Sequence, residues 1–207
     1  MKSGSLRLTL LGVGAMNSPR YAPAGLLVEY TNHRVMIDGG VGADPAAKLN
    51  SWLVTDDQGE LIREIRRLAR LRGLEPKVGD YSGAGILIKP HDVIHTAHRT
   101  YGYVIEAEGK KIAWAPEFFE FPRWADSADL MFAEAAGWNR PIRFRGGVGG
   151  HACAIEVARV AQLHGVKRLV FAHIGRPTIT AIDAGHRPPF GEFGRDGDVY
   201  FVSRAQT

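Results

Sequence analysis

Apolar and polar positions alternate from Leu6 to Val13, the period of a half-buried strand, and the chain then enters a turn from Gly12 to Pro19 that holds Gly and Pro. Gly25 to Tyr30 and Arg34 to Ile37 read as the next two strands, joined through Thr31-Asn32-His33 in a hairpin turn. Asp38-Gly39-Gly40 ends the third strand abruptly, and Leu53 and Val54 form a short strand end. Glu60 to Arg72 then carries the helical period. Leu61, Ile65, Leu68 and Ala69 fall on one face, Arg63, Arg66, Arg67 and Arg70 lie largely on the other, and Gly73 stops the run.

The second half repeats the theme. Gly85 to Lys89, Val93 to Ile94, Tyr103 to Ala107 and Lys111 to Trp114 read as strands, the last two joined across Glu108-Gly109. Leu130 to Phe132 is a short buried strand, followed by a loop rich in Gly and Arg from Gly137 to Gly150. Ala152 to His164 predicts a second amphipathic helix and Leu169 to Ala172 another buried strand. The tail from Gly175 to Gly197 holds many Gly and Pro residues and is expected to be mostly irregular, with Val199 to Val202 as a last strand. Two runs of strands, each closed by helices, predict sheets packed on each other with helices outside.

Composition narrows the setting. A chain of 207 residues fits one domain, 1–207, since no linker or charge block divides it. The net charge of +4 agrees with an anionic substrate or weak nucleic-acid affinity, although such a bias most often reflects solubility alone. The lone Cys153 excludes an intrachain disulfide and suits a reducing compartment, so a cytoplasmic protein is expected. No apolar run approaches the roughly 20 residues that span a bilayer, so no membrane partner is expected. The oligomeric state stays open, a dimer being compatible with the sequence.

Several residues carry candidate chemistry, each with a plainer alternative. Asp56 and Asp57 stand just before the first helix and could cap it, and Glu60 could be a first-turn acid. His95 and His98 lie in a polar loop between strands, where histidines are as often simply hydrated. Asp38 precedes Gly39, a pair that favours turns without any catalytic role. His173 is the hardest to dismiss, because it ends the apolar run Leu169-Val170-Phe171-Ala172, where strand tips present ligands. The loop from Gly146 to Gly150 precedes a helix and could hold an anion, with Arg140, Arg143 and Arg145 nearby, or could simply let the backbone pass close to a site. Phe118, Phe119, Phe121 and Trp124 beside Glu117 form an aromatic patch that either packs or walls off a pocket.

Six pieces of this chain follow one familiar order: Asp38-Gly39-Gly40, the run from His98 to Tyr103, the run from Lys111 to Glu117, Ala128-Asp129-Leu130 with Glu134, Gly150-His151, and the run from Arg168 to His173. In that order the chain resembles the metallo-β-lactamase superfamily, in particular its ribonuclease Z and phosphodiesterase branch. The resemblance implies an α/β fold, a four-layer αβ/βα sandwich with the metal site between the sheet edges. The departures matter as much. The family's H-x-H-x-D-H loop falls on Asp56 to Leu61, which here reads D-D-Q-G-E-L, and the bridging aspartate becomes Glu117. The branch's His-Glu pair becomes Ala133-Glu134, and no inserted arm for transfer RNA is visible, so end-processing of transfer RNA is not expected.

By that resemblance, His98 (or His95, since the spacing to Gly102 allows either), Glu117 and His173 would be the metal ligands, with Asp56 and Glu60 adding carboxylate oxygens. Such a donor set suits one Mn²⁺, Fe²⁺ or Mg²⁺, or a single Zn²⁺, and a tight di-zinc centre is not expected. Asp38 would orient a ligand, and His151 with Glu134 would give a proton to the leaving group. The natural substrate would be a small phosphate ester. A catalytically inactive relative that binds a ligand or partner protein is the competing reading, and a nucleic-acid module a weaker third.

Overall fold

The computed structural model describes residues 5–146 and 148–202; Gly147, in the glycine-rich loop, lies outside them. In chain order the elements are β1 (Leu6–Gly12), β2 (Gly25–Tyr30), β3 (His33–Asp38), β4 (Ser51–Leu53), α1 (Ile62–Arg70), β5 (Tyr81–Gly83), β6 (Ile86–Val93), β7 (Thr100–Ala107) and β8 (Lys110–Ala115). A single 3-10 turn (Arg123–Ala125) leads to β9 (Leu130–Ala135), β10 (Ile142–Arg143), β11 (Gly150–His151), α2 (Ala154–Leu163), β12 (Leu169–Ile174), α3 (Arg176–Asp183), β13 (Glu192–Phe193) and β14 (Val199–Val202).

The local turn chemistry sets the hairpins. Glu108 and Gly109 both take positive φ, 55° and 70°, between the paired Ala107 and Lys110, the backbone that matches strand twist in a two-residue turn. Thr31 does the same at φ 54° between the paired Tyr30 and His33. The first sheet has the order β14-β1-β2-β3-β4 and the second β13-β12-β9-β8-β7-β6-β5. In the second sheet β8, β9, β12 and β13 run parallel, while β5 to β8 form an antiparallel meander.

The two sheets face each other over one apolar core. Leu8, Leu10, Val28 and Ile37 from the first sheet share it with Ile88, Ile105, Trp114, Phe132 and Phe171 from the second. A second cluster lies on the outer face of the first sheet, where Ile62, Ile65 and Leu68 of α1 pack on Leu27, Met36 and Trp52. On the far side α2 packs on β9 and β12. The result is the expected αβ/βα sandwich.

Three expectations need correction, and one helix is unforeseen. The tail is irregular over most of its length, as expected, but it also holds α3, which begins directly after Gly175 with Pro177 at its second position, where a missing N–H costs nothing. The expected strands Gly85 to Lys89 and Val93 to Ile94 are one continuous β6, and β7 begins at Thr100. β12 continues through His173 to Ile174, so that histidine sits within a strand. Helix α1 starts at Ile62, and its N-cap Leu61 makes no side-chain cap. No helix among the described residues is long and apolar enough to cross a membrane.

Candidate functional site

Because β8, β9 and β12 are parallel, their C-terminal ends open on the same edge of the second sheet. Glu117 follows β8, Glu134 lies near the end of β9, and His173 near the end of β12. Asp38 ends β3 in the first sheet, and the loop from Thr55 to Leu61 lies across the gap. A cavity of about 690 Å³ opens there. Asp38, Asp56, Glu60, His95, His98, Glu117, His151 and His173 line it, and Glu134 is fully buried.

The floor is a continuous row of imidazoles and carboxylates. His95 Nε2 lies 3.2 Å from Glu117 Oε2, and His173 Nε2 lies 2.9 Å from Glu117 Oε1. The other face of His173 places Nδ1 3.0 Å from Glu134 Oε1, and His151 Nδ1 lies 2.7 Å from Glu134 Oε2. Glu134 also accepts the backbone N–H of Ala136 at 2.7 Å and of Phe118 at 3.3 Å. The rings pack as well: His151 stacks on His173 at 5.2 Å, and His95 lies 4.7 Å from His151. Phe144 meets both His95 and His151 edge-on.

Charge in this row is set by proximity. Burial disfavours the imidazolium of His173, but Glu134 and Glu117 on its two sides outweigh burial and push its pKa up to about 10. Burial likewise opposes the Glu117 carboxylate, yet His173 and then His95 hold it well below the usual range. Glu134 is lowered in the same way, against burial, by His173 and His151. His95 is raised, since Glu117 outweighs its burial and the Gly150 carbonyl and Glu134 add to the effect.

The site corrects several expectations. His98 does not face Glu117; His95 does. His98 Nε2 instead donates to both oxygens of Asp56, at 2.9 and 3.0 Å. Asp56 also accepts the N–H of Gln58 at 2.8 Å, which makes it a turn residue and a histidine partner rather than a helix cap. The physical reason is that the chain turns through Gln58 and Gly59 before α1 starts. Asp38 orients no histidine: it accepts from Thr55 N at 2.7 Å, Thr55 Oγ1 at 2.9 Å and Trp114 Nε1 at 2.7 Å. Burial pushes its pKa up to about 6 despite these three donors, with the charge of Glu117 adding to the rise.

In the described part of the glycine-rich loop the backbone is tied to His95. The two-residue strand β11 intervenes before α2, and Gly150 donates to the His95 carbonyl at 2.8 Å while its own carbonyl accepts from His95 Nδ1 at 2.9 Å. Gly149 takes φ 73°, and a Cβ there would collide with the His95 carbonyl, so the loop is built for close approach. Arg143 lies over the Phe119 ring at 4.7 Å and is outside the cavity lining, as are Arg140 and Arg145. Phe118 is fully buried in the core and Trp124 packs against Gly102, so the aromatic patch is packing. Sequence reasoning overlooked Phe144 and Arg176 as lining residues; Phe144 sat unremarked in a loop read for its arginines and glycines.

The donor set can be tested against a metal. Three imidazoles and two carboxylates with no thiolate suit one divalent transition ion. Ligand atoms of Glu134, His151 and His173 lie within 4.8 Å of one another, a cluster compact enough for a single ion. His95 also has the orientation of a ligand, with Nδ1 tied to a carbonyl and Nε2 turned inward. The loop from Asp56 to Leu61 adds no imidazole to this set, only the carboxylates of Asp56 and Glu60 in the lining.

Asp56→Ala is expected to destabilise the protein by roughly 1–2 kcal/mol, because His98 and the Gln58 N–H both lose their acceptor. Urea denaturation checks this, and an unchanged midpoint would contradict the pairing.

No protein-family model and no curated protein sequence matches the chain. Solved structures do. The metallo-β-lactamase fold protein YhfI from Bacillus subtilis superimposes with a TM-score of 0.73 at 15% identity, over 96% of this chain and 100% of that one. A diphosphatase from the PhnP family gives 0.72 at 18% identity over 96% and 97% of the two chains. The short form of human tRNase Z gives 0.67 at 14% identity over 94% and 98%. At such identities the likeness speaks to architecture, and the chemistry has to be argued from the residues present. With both sheets, their flanking helices and the site at the strand ends in place, the chain has the metallo-β-lactamase fold.

Proposed function

We propose that the protein is a metal-assisted hydrolase with at most one divalent ion per chain, acting on an ester bond. The observation that carries this is the unbroken row His95–Glu117–His173–Glu134–His151 on the floor of a cavity. His173, Glu117 and His95, or the compact cluster of Glu134, His151 and His173, would hold the ion. The ion would supply Lewis acidity at the scissile group. The chain's own groups do the rest. Glu134 fixes His151 and His173 through Nδ1, which turns His151 Nε2 to the task of passing a proton to the leaving oxygen. Glu117 keeps negative charge beside His173, and Asp38 pins Thr55 and Trp114 so that the loop holds its course across the cavity.

A phosphate ester is the substrate that the resemblance suggests. Arg176 in the lining offers one cation for it, and the similar structures include a diphosphatase. The competing reading, an inactive relative that binds a ligand, keeps the cavity but assigns no turnover to the row.

The test is a panel of bis(p-nitrophenyl) phosphate and p-nitrophenyl carboxylates with Mn²⁺, Fe²⁺ or Zn²⁺, beside elemental analysis of protein purified without chelator. Glu117→Gln is expected to lower kcat/KM at least about 100-fold, as it removes a charge that faces two imidazoles. His151→Ala is expected to lower kcat by about 10²–10⁴-fold with metal content unchanged. Loss of the ion in that variant would assign the holding role to the cluster with Glu134. No turnover with any ion, or two ions retained after dialysis, would overturn the proposal.

A further inference from the structure

Resting on the hydrolase reading, we infer that the substrate is an uncharged carboxylic ester with an apolar body. The first ground is charge. Among the described residues, the cavity is lined by the carboxylates of Asp38, Asp56, Glu60 and Glu117, against the guanidinium of Arg176. Imidazoles and carboxylates that face one another offset each other's charge. His95 and His173 face Glu117, His98 faces Asp56, and His151 faces Glu134. The arginines that the sequence offered as an anion clamp lie outside the lining. Apart from those pairs and the ion of the hydrolase reading, Arg176 is the one Lys or Arg of the described lining and stands against Asp38 and Glu60, so no cluster of cations is there to receive a phosphate ester.

The second ground is the wall. Leu61, Ile62 and Ile65 at the start of α1 contribute one side, and Ile142 and Phe144 another, with Met16 at the rim. Met16 is 45% and Ile142 38% exposed, so these two side chains border open space rather than fill the core. Apolar groups around a polar floor are what a ligand with an apolar body and one reactive end requires. The volume of about 690 Å³ lies within the roughly 300–1,000 Å³ usual for small-molecule sites, which leaves room for a medium-length acyl chain or a ring.

The reaction balances without a further reagent. The oxygen of water bonds to the carbonyl carbon and the acyl C–O bond breaks. One proton of the water passes to the carboxylate–imidazole row, and the row returns a proton to the departing alkoxide, so an acid and an alcohol form. The acid ionises at neutral pH.

The experiment pairs binding with turnover. Binding is read from the fluorescence of the uncharged probe N-phenyl-1-naphthylamine and its displacement by methyl octanoate. Turnover is compared for p-nitrophenyl acetate, p-nitrophenyl octanoate and bis(p-nitrophenyl) phosphate. The variants Ile142→Asp and Met16→Asp alter exposed side chains, and their melting temperatures verify folding. The probe is expected to bind, to be displaced by methyl octanoate and to weaken about tenfold in Ile142→Asp. The octanoate should exceed the acetate about tenfold or more in kcat/KM, with the phosphate diester below both. Absence of probe binding to the folded protein, or faster hydrolysis of the phosphate diester than of the octanoate, would overturn the inference. Probe binding weakened by Ile142→Asp without hydrolysis of any ester would overturn the hydrolase reading alone and leave the ligand class standing.

Discussion

Glu134→Ala is expected to destabilise the protein by about 3–5 kcal/mol, a large share of the stability of an ordinary domain. The side chain is fully buried and accepts from four donors: Ala136 N, Phe118 N, His151 Nδ1 and His173 Nδ1. Alanine leaves the N–H groups of Ala136 and Phe118 without an acceptor where water reaches poorly, at about 1–3 kcal/mol each, whereas His151 and His173 border the cavity and lose less. It also leaves His173 with Glu117 as its remaining carboxylate. Glu134→Gln does not rescue the loss, since its amide nitrogen would face N–H groups that also donate. Urea denaturation with far-ultraviolet circular dichroism measures the change, and a loss under about 1 kcal/mol would contradict the role given to Glu134.

The second large effect is on pH dependence. Chelator-treated protein is expected to lose stability as pH rises from about 6.5 to about 10, because the folded state raises the pKa of His173 from 6.5 to about 10. The sign follows from proton counting. Across that window the folded chain holds a proton that the unfolded chain has lost, so the contribution is complete below pH 6.5 and gone above pH 10. Glu117 and Glu134 act in the opposite sense: their depressed pKa values give stability above the ordinary carboxylate range, lost as pH falls through the folded-state values. Asp38, raised from 3.8 to about 6, subtracts stability as pH rises through that interval. Denaturation midpoints at pH 5, 7 and 9 test the set. His173→Gln should flatten the slope between pH 7 and 9, and an equally steep slope in that variant would assign the effect elsewhere.

Much of the architecture was legible along the chain, because its causes are local. Alternation from Leu6 and from Gly25, the turn residues at Thr31 and Glu108, and the apolar face of the first helix each act within a few residues. Helix α3 was not legible, because Pro177 and the later Gly and Pro residues read as breakers, whereas Pro at the second helical position is compatible with a helix start. The residue types of the site could also be read: Glu117, Glu134, His151 and His173 stood out as ionisable groups near strand ends. The choice between His95 and His98, three residues apart in one loop, could not. It is made by partners distant in sequence, Gly150 and Glu117 for the first and Asp56 for the second.

The same division holds for the site's character. The sequence by itself determined that the loop from Asp56 to Leu61 carries no imidazole, since composition needs no folding to be known. Only the tertiary structure decided that Glu117 lies between two imidazoles, that Glu134 joins two more ring nitrogens beneath them, and that the arginines stay outside while Leu61, Ile65, Ile142 and Phe144 face the cavity. The physical reason is that parallel β8, β9 and β12 carry residues from positions 117 to 173 to one edge. Hydrogen bonds and charge act over a few ångströms of space, whatever their separation along the chain.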